Sequence, residues 1–212
     1  NPFEELKKLL GKSDDQSYRY LGGAVGVVNY DAIRLVENIN DSHNSPQPLI
    51  EFGIYDDGIL YDKIHEKLFY FYHDENRFDK FVMGDDTFGK FHASVVTPNM
   101  DESKYSEIVN KAKKYIHDGD VFQVVLSRKF AFDTNGDNLT LYKTLRKLNP
   151  SPYMYHLKQG NKTIIGASPE MLVRITDDKV ETFPIAGTRK VTDDEEKNKA
   201  LSEELIHDEK EL

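Results

Sequence analysis

Gly166-Ala167-Ser168-Pro169-Glu170 and Pro184-Ile185-Ala186-Gly187-Thr188-Arg189 bracket two apolar runs, Met171 to Ile175 and Val180 to Phe183. Short runs rich in β-branched and large apolar residues, bounded by Gly, Pro and Ser, read as the two strands of a hairpin with small-residue turns at its outer ends. Both turns then face one site, a carboxylate on one side and a Gly-Thr-Arg on the other. A sheet edge built this way presents a proton donor beside a cradle for a small anion.

Upstream the same rhythm continues. Tyr153 to Leu157 and Thr163 to Ile165 read as two more strands. The helix before them starts at Asn138 as its cap, carries the stripe Leu141, Tyr142, Leu145 and Leu148, and stops before Asn149-Pro150. Val121 to Phe132 reads as one long strand, with Phe122, Val124 and Leu126 on one face and Gln123, Val125 and Ser127 on the other. Ahead of it, Tyr105, Ile108, Val109, Ala112, Tyr115 and Ile116 make the apolar face of a helix that Gly119 ends. Downstream, Thr192 to Glu195 reads as a capping box for a terminal helix.

The first ninety-odd residues are patterned differently. Phe3, Leu6, Leu9 and Leu10 predict a short helix stopped by Gly11. Leu21 to Tyr30 (LGGAVGVVNY) is a Gly-punctuated strand, read as a buried strand packed closely against a neighbour in preference to a ligand-binding one. Asp31-Ala32-Ile33-Arg34 starts a helix. Leu49 to Tyr55, Ile59 to Tyr61 and Leu68 to Tyr72 are antiparallel strands, with Asp56-Asp57-Gly58 as a turn between the first two. The acidic stretch Asp74 to Asp86 breaks the pattern, and the boundary falls near Val95 to Pro98. The expected class is α+β, mostly antiparallel sheets flanked by helices, in two parts, 1–95 and 96–212.

Composition narrows the function. The 212 residues carry 28 Lys and Arg against 37 Asp and Glu, a formal charge of -9, which is a poor basis for holding a phosphate backbone. There is no cysteine, so thiolate chemistry and disulfides are excluded. No apolar run approaches the length of a membrane span, and the first residues lack a signal-peptide order, so the expected location is cytoplasmic. The chain lacks an initial Met, and its last residues form a helical pattern without a stop signal; both features read as a piece of a longer enzyme.

On the residues alone, the site is a small-anion site. Glu170, set after Pro169 between strands, is expected to be half-buried, raised in pKa and able to act as an acid. Gly187 and Thr188 supply N–H and hydroxyl donors, while Arg189 either pairs with the anion or holds the loop in shape. Glu204, Asp208 and Glu211 share one helical face. Three carboxylates so placed repel one another unless solvated or bridged by a cation.

The runs Asp118 to Arg128, Asn149 to Met154, Gly166 to Glu170 and Pro184 to Arg189, in this order, resemble the chorismate-utilizing enzymes, most closely their anthranilate synthase component I branch. Gly22-Gly23 and Tyr30 to Arg34 resemble the amino-terminal part of that branch, which places 1–95 in that region and 96–212 in the first part of the chorismate-binding catalytic domain. The resemblance implies a lyase making anthranilate and pyruvate from chorismate and ammonia in tryptophan biosynthesis. It also implies Mg2+ and a glutamine amidotransferase subunit delivering the ammonia.

By the same resemblance, Glu170 matches the general acid that helps the C4 hydroxyl leave, and Ala186, Gly187 and Thr188 match the substrate loop. Gln123 stands where water-using relatives have Lys, and Ala186 where aminodeoxychorismate synthases have Lys; both substitutions point to ammonia and anthranilate. Asn149, Pro150, Ser151, Pro152, Tyr153 and Met154 match a segment lining a tryptophan feedback pocket, against a plainer reading as a rigid connector. Glu211 matches a metal-associated Glu. The resemblance covers about half of a usual component, so the 212-residue chain is expected to be inactive alone. Aminodeoxychorismate synthesis and a non-catalytic tryptophan-binding module are the alternatives.

Overall fold

The structure, a computed structural model, describes residues 2–10, 17–39, 46–82, 84, 87–185 and 187–208. Its elements run α1 (Pro2–Leu9), β1 (Gly23–Val28), a 3-10 turn (Tyr30–Leu35), β2 (Ile50–Tyr55), β3 (Asp57–Asp62), β4 (Lys67–Tyr72) and a second 3-10 turn (Phe78–Lys80). They continue with β5 (Phe91–Ala93), β6 (Thr97–Pro98), α2 (Glu102–His117), β7 (Phe130–Ala131), β8 (Thr134–Gly136) and α3 (Asn138–Leu148). The last are β9 (Tyr153–Gln159), β10 (Lys162–Ser168), β11 (Met171–Thr176), β12 (Lys179–Phe183) and α4 (Glu195–Ile206). The class is α+β, as expected, with antiparallel ladders joining β1 to β2, β3 to β4, β5 to β8, β6 to β7 and β11 to β12. The chain divides into two compact units, Asn1–Asp86 with Gln159–Asn161, and Thr87–Lys158 with Lys162–Leu212.

In the first unit, β1 pairs with β2 from Gly23 opposite Tyr55 to Val28 opposite Ile50. A Cβ on Gly26 would collide with the Glu51 carbonyl and the Phe52 backbone, so this glycine answers to a neighbouring strand and not to a ligand. The turn expected at Asp56-Asp57-Gly58 does not form. Asp57 and Gly58 belong to β3, whose partner is β4, not β2. The physical reason lies in the Asp57 carboxylate, which accepts from Tyr70 Oη at 2.8 Å and from Arg77 Nε at 3.0 Å, fastening the start of β3 to the strand across from it. Arg77 also reaches Asp56 at 2.9 Å, and Tyr70 packs against Phe78 and Phe81 with ring centres 5.4 and 5.5 Å away. The aromatic residues of this region therefore serve as packing partners. At the β3–β4 turn, Asp62 accepts from the Ile64 and His65 N–H groups and lies 2.7 Å from His65 Nδ1.

In the second unit, α2 is capped by Asp101, which accepts from Lys104 N at 2.8 Å, and stops at Gly119, whose φ of 82° is a left-handed value. Tyr105, Ile108, Val109 and Ala112 form its half-buried face, as the spacing predicts, while Tyr115 and Ile116 are exposed. The long strand expected over Val121–Phe132 is reduced to β7. A strand persists only where a neighbour takes up its ladder, and here only Phe130 and Ala131 find one, opposite Pro98 and Thr97. Phe122 stands fully exposed.

Two helix caps shift by one or two residues from expectation. Asp137, not Asn138, caps α3: one carboxylate oxygen accepts from Leu139 N at 2.9 Å and the other from Gly89 N at 3.1 Å. Asp194, not Thr192, caps α4 by accepting from Lys197 N at 3.0 Å. In both cases a carboxylate, carrying charge at the positive end of the helix dipole, displaces the neutral candidate. β10 is also longer than expected. Gly166, Ala167 and Ser168 are strand and not turn, and a Cβ on Gly166 would run into the Tyr155 ring. Of the described residues only Ala32 is buried, and no helix among them is long and apolar enough to cross a membrane.

Two outcomes follow from these contacts. Asp101→Ala, which removes a single capping bond, costs about 1 kcal/mol, and Asp137→Ala, which also frees the Gly89 strand approach, costs more; the shifts in urea midpoint report both. The bonds from His65 hold the Asp62 carboxyl well below the ordinary range. A carboxyl depressed in the folded state contributes stability above its unfolded pKa of about 4 and loses it as pH falls toward the folded value. Acid titration of the urea midpoint should therefore show a decline below about pH 4 that is smaller in Asp62→Asn.

Candidate functional site

The site is built on the β11–β12 hairpin. Its register pairs Met171 with Phe183 and Thr176 with Lys179, with a bulge between Met171 and Arg174. The tight end turns through Asp177, whose φ of 51° is a left-handed conformation that Asp tolerates. Thr182 Oγ1 donates to the Leu172 carbonyl at 2.9 Å across the bulge, and Arg174 and Lys179 both pair with Glu181 at 2.9 Å. Lys179 first, and then Arg174, lower the Glu181 pKa below the usual carboxylate range.

Because Met171 faces Phe183, the residues just outside the ladder meet at its open end. Ile185 N–H points to Glu170 Oε1 at 3.4 Å, and Ser168 Oγ donates to the Glu170 carbonyl at 3.1 Å. The two sequence stretches that define the hairpin therefore do converge. Glu170, however, is exposed and not half-buried, and beyond that one N–H no described residue hydrogen-bonds its carboxyl group.

The loop after β12 is clasped along α4. Asn198 takes hold of both backbone groups of Thr192: Thr192 N donates to Asn198 Oδ1 at 2.8 Å, and Asn198 Nδ2 donates to the Thr192 carbonyl at 2.7 Å. At the other end of the loop, the Arg189 guanidinium meets the far end of the helix, with Nη2 2.9 Å from both Glu204 Oε1 and Asp208 Oδ2. Asn198, Leu201, Leu205 and Asp208 are the half-buried positions of this segment. Their three- and four-residue spacing places them on one face. Gly187 is half-buried and Thr188 exposed.

The remaining expected positions scatter. Gln123 is exposed and has no side-chain hydrogen bond among the described residues. Ala186 and Glu211 lie outside the described residues. Among the described residues, no group of His, Asp or Glu side chains is arranged to hold a metal ion, and Glu204 and Asp208 are already engaged by Arg189. In the segment Asn149 to Met154, Ser151 and Met154 are half-buried and Asn149, Pro150, Pro152 and Tyr153 exposed. Pro152 and Tyr153 border an open cavity of about 590 Å³ whose other walls include Pro169, Met171, Pro184 and Ile185. Sequence reasoning missed this adjacency and the Asn198 clasp. An Asn six residues after a Thr across a helix start carries no distinctive signal.

A carboxylate at the mouth of a strand pair, beside the start of a chain segment that a helix braces further on, is an arrangement for handling a small anionic substrate. The model of the chorismate binding enzymes matches residues 1–212, and the chain belongs to that family. Within it, the chain is similar to anthranilate synthase component 1 of Methanothermobacter marburgensis, with 39% identity over all of this chain and 46% of that protein. It is 37% identical to anthranilate synthase component 1 of Acetivibrio thermocellus, over all of this chain and 49% of that protein. The crystal structure of anthranilate synthase component I from Streptococcus pneumoniae superposes with a TM-score of 0.75 at 30% identity, over all of this chain and 51% of that one. The chain thus spans about half the length of the relatives it matches.

Since Glu170 is exposed and accepts only one long hydrogen bond, Glu170→Gln should leave the thermal unfolding free energy within about 0.5 kcal/mol of the parent, so that any loss of activity in this variant is chemical.

Proposed function

We propose that this chain is part of an anthranilate synthase component I, a lyase that converts chorismate and ammonia to anthranilate and pyruvate. The observation that carries the reading is the meeting of Glu170 with Ile185 at the open end of the hairpin, in a chain whose relatives bear that enzyme's name. Glu170, as the general acid, protonates the departing C4 hydroxyl while ammonia adds at ring C2; elimination of pyruvate follows. A neutral carboxyl group is required for that first step. Gly187 and Thr188 hold the substrate's carboxylate with N–H and hydroxyl donors, without needing a full positive charge.

Gln123 supports ammonia over water as nucleophile. An amide cannot accept a proton near neutral pH, whereas ammonia already carries its lone pair and needs only orientation. Ala186 presents a methyl group, which supports anthranilate over aminodeoxychorismate. A glutamine amidotransferase subunit as the ammonia source, and a cytoplasmic location, belong to the same proposal.

Mg2+ with Glu211 among its ligands rests on the family resemblance. The described residues do not by themselves fit a metal site, and the proton and binding steps above do not pass through one. Tryptophan as a feedback inhibitor, held by the segment Asn149 to Met154, is supported by the cavity that Pro152 and Tyr153 border. Such a cavity has an apolar wall suited to an indole ring.

The full-length protein that contains this chain should release anthranilate and pyruvate from chorismate, ammonium and Mg2+. Glu170→Gln should cut kcat by roughly 10²- to 10⁴-fold with chorismate binding little changed. Accumulation of aminodeoxychorismate would instead identify the related synthase, and tryptophan binding without turnover would identify a sensor.

A further inference from the structure

We infer that Arg189 is a positioning residue: it does not touch the substrate, and it bolts the Gly187-Thr188 loop to the carboxyl end of α4 through Glu204 and Asp208. The inference rests on the reading of the Gly187-Thr188 loop as the substrate loop.

Each of the three guanidinium nitrogens is engaged. Nε donates to Glu204 Oε1 at 3.0 Å, Nη1 donates to the Thr188 carbonyl at 3.2 Å, and Nη2 lies 2.9 Å from both Glu204 Oε1 and Asp208 Oδ2. A planar fork with donors engaged on three sides has little left to offer a ligand. The charge points the same way. A guanidinium already paired with two carboxylates has its positive charge offset, which weakens its pull on an anionic substrate. The cation that the acidic helix face needs is therefore supplied by the chain itself.

The location explains why an Arg is used there. α4 has acidic residues in its first turn and no Lys or Arg in its last; the His207 ring meets the Glu203 carbonyl at 2.8 Å, but the helix's own sequence brings no guanidinium or ammonium to the negative end of its dipole. Arg189 supplies that charge from the loop, and its own pKa is raised by Asp208 first and Glu204 second. Asn198 fixes the other end of the same loop at Thr192, so the segment is tied at both ends, with Gly187-Thr188 adjoining the Arg189 tie. Exposed ion pairs contribute little to stability. What this one supplies is a fixed distance between loop and helix.

The test uses the full-length protein, assayed with ammonium, and compares Arg189→Ala, Arg189→Lys, Glu204→Gln/Asp208→Asn and the combined triple variant. Arg189→Ala should lower kcat/KM for chorismate on the order of 10- to 100-fold, carried in KM, as expected when a binding loop drifts by about an ångström. Arg189→Lys should fail to rescue it, since a point charge cannot bridge both carboxylates. Glu204→Gln/Asp208→Asn should reproduce the loss, and the triple variant should add less than about threefold to it, because all three changes break one contact. Amide exchange at Gly187, Thr188 and the last turn of α4, measured without substrate, should quicken in Arg189→Ala and in Glu204→Gln/Asp208→Asn alike.

Kinetics within twofold of the parent for Glu204→Gln/Asp208→Asn, alongside a large loss in Arg189→Ala, would overturn the inference in favour of direct substrate contact. Unchanged exchange in Arg189→Ala would overturn it as well. If the parent makes no anthranilate, the proposed function fails, and the exchange measurement alone decides the role of Arg189.

Discussion

The antiparallel pairing of Met171 with Phe183 sets where Glu170 and the start of the following loop meet. Strand neighbours lie about 5 Å apart, so fixing that one register brings the residue before β11 and the residues after β12 within reach of each other. Glu170 and Ile185 meet for this reason alone. A slip by one residue would turn Glu170 to the opposite face and separate it from the loop. The Arg174 and Lys179 contacts to Glu181, with the Thr182 hydroxyl spanning the bulge, guard the register from within the hairpin.

The remainder of the second unit delivers the hairpin and secures the loop beyond it. β10 brings the chain to Glu170 with Gly166 making room for the Tyr155 ring, and α3, capped by Asp137, packs on β10 and β5. Beyond Phe183 the chain leaves the ladder and is held by side chains: Asn198 at one end of the loop, Glu204 and Asp208 at the other. The working surface is thus made of a strand pair whose geometry is dictated by backbone hydrogen bonds and a loop whose geometry is dictated by a helix.

Much of this was legible in the sequence, and the exceptions share a cause. The hairpin could be read because alternation and turn residues agree locally. Gly166 to Ser168 read as a turn because small residues mark turns; in the structure they are strand, and the need for smallness comes from Tyr155, eleven residues earlier. Asp56-Asp57-Gly58 has the composition of a turn, but Tyr70 and Arg77 recruit Asp57 into β3. Val121 to Phe132 alternates as a strand should, yet alternation cannot report whether a partner strand stands alongside. The caps at Asp137 and Asp194 lay one and two residues from those that the pattern favoured. Except at the caps, where a neighbouring carboxylate outcompeted the neutral candidate, the local signals failed where a distant residue or the lack of a partner strand decided the outcome, which a local reading does not register. The role of Arg189 was open for the same reason, since its partners lie fifteen and nineteen residues downstream.

The Asn198 amide has one more effect. By filling both the donor and the acceptor of Thr192 it occupies the backbone groups that another extended chain would use to add itself to this loop. A segment that leaves a β-ladder is ordinarily a template for intermolecular pairing. Here a single side chain closes that template at Thr192, so the stretch is shielded there from self-association.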